Sequence, residues 1–246
     1  MKRFFSAMQF ITIIPFGRST AFDPKGMVSF FPVVGIVLGV MVLVVDRIAL
    51  QLWPESVAAL IDVVFLIIIT GALHLDGLGD TADGLYGNRP KKQALAIMKD
   101  SRIGAMGLVA IVCVTAIKWG GIMSLDNIIS LDRSLMLLII PAYARAGMLF
   151  GIKFLEYGRP EGGTGHPFFG HAMKPAAFWG LLIPVLLSLF AGWRGVWLNI
   201  IFVMVTALIL LYYKKRIGCI TGDMLGAMCE TTEAALFLLV SIKGIV

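Results

Sequence analysis

The chain has 246 residues, 59% of them hydrophobic and 15% charged, and its mean hydropathy is +0.90. A soluble globular domain is nearer half apolar and a quarter charged, so the composition excludes a soluble enzyme and indicates an integral membrane protein. The net charge of +6 lies on basic residues without aromatic interleaving, which argues against nucleic acid as a partner.

The N-terminal stretch "MKRFFSAMQFITIIPFG" has a basic start and a short apolar run, but no small-x-small cleavage site. Gln9, Thr12 and Pro15 interrupt it, so it reads as a retained amphipathic segment at the membrane interface. Apolar runs then predict spans at about 28–50, 57–74, 104–123, 134–151, 176–193, 196–213 and 224–243. The breaks "WPES", "SLDN", "GRPEGGTGHP", "AGWRG" and "KKRIG" carry turn chemistry. No internal repeat or polar linker divides the chain. The expected fold is all-α: one polytopic membrane helical bundle of about seven transmembrane spans over residues 1–246.

With the N-terminus inside, the loop lysines and arginines fall overwhelmingly on one side. They run from Lys2, Arg3, Arg18 and Lys25, through Arg89 to Arg102 and Lys153 to Lys174, to Lys214, Lys215 and Arg216. Only Arg133, Arg194 and Lys243 fall outside, a positive-inside pattern that sets the orientation. The basic cytoplasmic face suits anionic lipid headgroups and a polyanionic substrate. The three cysteines, Cys113, Cys219 and Cys229, form no CxxC pair and no disulfide framework.

The stretch "GALHLDGLGDTADGLYG" places Asp76, Asp80 and Asp83 at the cytoplasmic end of the second predicted span. Their i, i+4, i+7 spacing holds them within about 60° on a helix wheel. No basic residue lies within the motif to pair with them, and burying them unpaired would cost several kcal/mol each. "TGDMLGAMCETTE" supplies Asp223, Glu230 and Glu233 at i, i+7, i+10, again one broad face, at the cytoplasmic start of the last span. Gly77, Gly79, Gly84, Gly222 and Gly226 allow the two helices to approach closely. Six facing carboxylates are an all-oxygen set suited to Mg²⁺, with Mn²⁺ as an alternative, and to a substrate diphosphate completing the shell.

Lys99 and Arg102 in "KDSRIGAMG" are expected to contact substrate phosphate. Arg145, inside a span, is expected to pair with a carboxylate or a substrate anion. His74 lies about 160° from Asp76 and 180° from Asp83, so it packs against or orients the substrate instead of binding metal. His166 is expected to contact substrate from a Gly-rich loop long enough to act as a lid.

With both motifs in hand, the chain resembles the adenosylcobinamide-GDP ribazoletransferase family, also called cobalamin (5'-phosphate) synthases. The matching segments are "HLDGLGDTADGLYG", "MKDSRIGAMG" and "TGDMLGAMCETTE", and the similarity runs from "FFSAMQFITIIPFG" to the last span. The resemblance implies a Mg²⁺-dependent transferase of the bacterial cytoplasmic membrane. It would join α-ribazole, or its 5'-phosphate, to adenosylcobinamide-GDP and release GMP. A carboxylate not fully engaged by metal is expected to take the hydroxyl proton, Asp83 being the first choice and Asp80 the second catalytic candidate. Self-association, or association with neighbouring cobalamin-pathway enzymes, is left open.

Asp80-x-x-Asp83-Gly84 also resembles the start of the CDP-alcohol phosphotransferase motif. Gly87 and Asn88 stand where that motif has alanine and arginine, which argues against a CDP donor. Aspartate-rich prenyltransferases are a second alternative. An ion-coupled transporter is a third, disfavoured because the acids gather at one face and no inverted repeat is visible.

Overall fold

The computed structural model describes residues 2–15, 23–125, 130–159, 162–163, 165–170 and 173–242. The expected loop charges Arg18 and Lys243 lie outside these, as do Pro160, Glu161, Thr164 and His171 of the Gly-rich loop. The described residues form eleven helices: α1 (Lys2–Ile11), α2 (Pro24–Met27), α3 (Phe31–Leu52), α4 (Glu55–Ile69), α5 (Leu73–Leu85), α6 (Lys91–Ile97), α7 (Ala105–Ser124), α8 (Ser130–Phe154), α9 (Leu182–Ser188), α10 (Trp193–Arg216) and α11 (Gly222–Val240). Their only non-helical pairing is a single parallel bridge, Tyr157 to Ile220.

The all-α expectation holds, and the span boundaries change. Among the described residues, four helical stretches are long and apolar enough to cross a membrane: Pro24–Leu52, Ala105–Ser124, Asp132–Phe154 and Trp193–Arg216. The predicted span 57–74 instead breaks after Ile69, where Gly71 (φ 59) and Ala72 (φ 56) adopt left-handed backbone. Their N–H groups bond back to the carbonyls of Ile68 and Ile67, which closes the end of α4. α5 then leaves at 88° to α4, and counting this bent pair as one crossing raises the total to five. The predicted span 176–193 is one shorter apolar helix, Pro175–Ala191, with 3₁₀ geometry at Pro175–Leu181 and Leu189–Ala191 on either side of α9. The predicted last span is α11, whose three acids keep it outside the set of span-length apolar helices.

α11 is the centre of the fold. It packs on α5, α7, α8 and α10, and most of its residues from Met224 to Val240 are buried. α8 is also interior, whereas α7 and α10 turn apolar side chains such as Val109, Val112, Leu208 and Leu211 outward. A bilayer explains that exposure, because lipid tails solvate such surfaces. Arg133, expected in an outer loop, is instead buried in α8. It donates to Asp46 of α3 at 2.5 Å and to the Ile122 carbonyl at 3.0 Å. The guanidinium thereby satisfies two groups that a membrane interior would otherwise leave costly.

Candidate active site

Missing side chains set the crossing of α5 and α11. A Cβ added at Gly77 would lie 2.6 Å from the Asp223 carbonyl oxygen, and one at Gly226 would lie 3.1 Å from Cα of His74. The two motif helices therefore touch backbone to backbone, as small residues permit in membrane bundles. Gly77→Ala is expected to force them apart and cost about 1–3 kcal/mol, as overpacking does. Gly226→Ala should cost less. Thermal unfolding of the two purified variants measures the order.

Asp76, Asp80 and Asp223 come together at this crossing. Asp80 is half-buried and feels repulsion from Asp76, Asp223 and Asp83, with Arg159 as the opposing cation. Asp76 and Asp223 line one cavity of about 170 Å³ with His74, Phe10, Phe31 and Phe168. Thr221 caps α11 by accepting from the Met224 N–H at 3.2 Å, which fixes the first turn that carries Asp223. Asp223 accepts from Arg159 at 2.6 Å and from the Thr221 hydroxyl at 3.4 Å.

Asp83 is held differently. Its two oxygens accept from the backbone N–H groups of Gly104, at 2.7 Å, and Gly107, at 2.9 Å. It therefore caps α7, a helix far along the chain, and the orphan donors there stabilise its anion.

Glu230 and Glu233 do not join the aspartates. Lys118 of α7 donates to Glu230 at 2.6 Å and to Glu233 at 2.5 Å, and Arg145 of α8 donates to the other oxygen of Glu233. All four side chains are buried. The expected set of six carboxylates thus splits, because two cations balance the glutamates inside the bundle. Of the two partners expected for Arg145, a carboxylate or a substrate anion, the structure shows the carboxylate: its guanidinium donates to Glu233 and to the Pro141 carbonyl.

Lys99 borders a cavity of about 510 Å³ with Lys92 and Arg159. Arg102 is exposed and held by Asp100, with its nearest contact at 2.6 Å. It borders a separate cavity that also reaches Asp83. His74 is buried against α11 and its Nδ1 has no hydrogen-bond partner. His166 packs on the Tyr157 ring, centroids 5.5 Å apart, and lines a neighbouring cavity instead of the one shared by the aspartates. Gly165 and Phe168 of the same loop do reach the aspartate cavity. The Gly-rich loop is stitched to the start of α11 by Gly158 N–H to the Ile220 carbonyl, at 2.8 Å, and Ile220 N–H to the Glu156 carbonyl, at 2.9 Å.

Among the described residues, no three His, Cys, Asp or Glu side chains form a ready-made metal cage. The donor set at the crossing nonetheless fits a hard cation. Its oxygens are all carboxylate, and three aspartates crowd Asp80 against a single arginine. Mg²⁺ characteristically binds such sites through few carboxylates and completes its shell with water and substrate phosphate.

Comparison with known proteins settles the family. Residues 3–241 match the family described as cobalamin-5-phosphate synthase. The chain belongs to the cobalamin-5-phosphate synthase family. A curated relative from Alkaliphilus metalliredigens, named adenosylcobinamide-GDP ribazoletransferase, is 37% identical over 98% of this chain and 95% of its own. Relatives of the same name from Thermoanaerobacter sp. and Clostridium acetobutylicum are 34% and 29% identical. The first alignment covers 99% of this chain and 98% of the relative, the second 94% and 92%. No solved structure matches. In this synthase-family chain, two of the segments that carried the resemblance cross as α5 and α11, and the third meets α5 where Gly104 and Gly107 bond Asp83. Two interactions there escaped sequence reading. Arg159 looked like a topology charge, and the only sign of the Glu230–Glu233 partner was a lone lysine, Lys118, in the apolar run "AIKWGG".

Proposed function

We propose that the chain transfers the adenosylcobinamide phosphate group from adenosylcobinamide-GDP to α-ribazole or its 5'-phosphate, releasing GMP. The family and the names of its relatives support the reaction class. The observation that carries the site is the crowding of Asp76, Asp80 and Asp223 at the helix crossing, beside a basic cavity. Asp76 and Asp223 would hold Mg²⁺, or Mn²⁺, with Asp80 beside them. That ion would supply neutralising charge to the diphosphate oxygens. An Asp80 carboxylate oxygen receives the proton of the ribazole hydroxyl, since both Asp83 oxygens already accept N–H bonds. Asp83 holds the start of α7 against α5. Lys99 adds positive charge beside the site, and most of the rate comes from positioning and electrostatics.

The reading places the protein in the bacterial inner membrane, N-terminus inside, with the reaction on the cytoplasmic face. α4, the 175–191 stretch and α11 would add crossings to the four apolar spans, giving about seven. Purified protein given adenosylcobinamide-GDP, α-ribazole 5'-phosphate and Mg²⁺ is expected to release GMP stoichiometrically with product. An isoprenyl diphosphate or a CDP-alcohol in place of the donor is expected to give no turnover. Turnover with either, and none with the corrinoid, would replace this reading with one of the other diphosphate-using transferases.

A further inference from the structure

The cavity of about 510 Å³ between α6 and the Gly-rich loop is lined by Lys92, Lys99 and Arg159, with apolar or glycine residues completing the wall. Neither lysine belongs to an ion pair among the described residues. Arg159 belongs to two environments: it donates to Asp223 at 2.6 Å, while its Nε is buried without a hydrogen-bond partner. Gly162 (φ 111) and Gly163 (φ 134) hold backbone that side-chain-bearing residues rarely adopt, so the loop borders the cavity with bare peptide. Three cations around one concavity repel each other, and a tetrahedral dianion relieves that repulsion while meeting both lysine and guanidinium donors.

We propose that this cavity is a phosphate site, with Arg159 shared between the bound phosphate and Asp223 of the acidic cluster. The proposal rests on the transfer reading above and extends it to Lys92 and Arg159. Two phosphates have the right chemistry: the one that leaves with GMP, and the 5'-phosphate of the acceptor. The shared arginine would link phosphate occupancy to the carboxylates without any further moving part.

The test uses full-length protein in phosphatidylcholine nanodiscs, so that no anionic headgroup competes. Binding of GMP and of inorganic phosphate is measured for wild type, Arg159→Gln, Arg159→Lys and the double variant Lys92→Gln/Lys99→Gln. At least tenfold weaker binding is expected in Arg159→Gln and in the double variant, with partial recovery in Arg159→Lys. Kinetics then separates the sources. A raised KM for α-ribazole 5'-phosphate but not for α-ribazole assigns the cavity to the acceptor phosphate. Weakened inhibition by GMP, with both acceptor KM values unchanged, assigns it to the donor. Wild-type phosphate and GMP binding in Arg159→Gln and in the double variant, both folded by circular dichroism, overturns the proposal. Lost turnover on the corrinoid with Arg159-dependent phosphate binding intact would sink the transfer reading and leave the cavity. Intact turnover without such binding would sink the cavity alone.

Discussion

Asp80→Asn is expected to reduce GMP release by about 10³-fold or more, the scale on which general-base and electrostatic groups contribute. The folded protein should lose nothing in thermal stability. Asp80 is crowded by Asp76, Asp223 and Asp83, so neutralising it removes repulsion and breaks no pairing seen in the structure. Asp83→Asn is expected to behave differently. An amide cannot accept at both positions where Asp83 meets Gly104 and Gly107. That variant should lose about 1–2 kcal/mol through the weakened cap on α7. Turnover and melting measured together distinguish the two residues: Asp80 separates activity from stability, and Asp83 moves both. Near wild-type turnover in Asp80→Asn would remove it from the chemistry.

The second large effect lies away from the reaction. Lys118→Met leaves Glu230 without its partner and Glu233 with only Arg145 inside the bundle. Stranding one buried charge typically costs about 3–5 kcal/mol, because the remaining ion has been taken out of water without compensation. Lys118→Met/Glu230→Gln restores charge balance around the surviving Arg145–Glu233 pair and is expected to recover most of that loss. The melting temperatures of the single and double variants in the same detergent measure the recovery. A double variant as unstable as the single would mean that Glu230 does not depend on Lys118. If the glutamates were metal ligands instead, Glu230→Gln would raise the Mg²⁺ concentration needed for half-maximal activity, which the quartet geometry predicts to be unchanged.

Much of the fold was legible because its determinants are local. Hydropathy marked α3, α7, α8 and α10, and the spacing of Asp76, Asp80 and Asp83 survives on α5. The glycine pattern foretold the α5–α11 approach, which Gly77 and Gly226 make. The sharp turn at Gly71 and Ala72 was hidden inside an apolar run whose hydropathy is the same bent or straight. The stretch 176–193 does run as one apolar helix, Pro175–Ala191, ended by left-handed backbone at Gly192, and its 3₁₀ ends are a detail that hydropathy does not carry.

The site was legible in its acids and less so in its cations. Carboxylates on one wheel face show in a single helix, but which cation meets them depends on how separate helices pack. Lys118 and Glu230 are far apart in the chain, as are Arg145 and Glu233. Asp83 shows the same limit in another form. Its partners are backbone N–H groups at the start of α7, which no side-chain pattern announces.

The central claim is that the aspartates at the α5–α11 crossing hold the divalent cation on which GMP release depends. It is tested most directly by stripping the purified protein with EDTA and titrating Mg²⁺ back while following GMP release, for wild type and for Asp76→Asn/Asp223→Asn. Wild type is expected to be inactive without the ion and restored by it, and the double variant to stay inactive at every concentration. Full activity of the stripped wild type, or restoration of the double variant at the wild-type Mg²⁺ concentration, would contradict the claim.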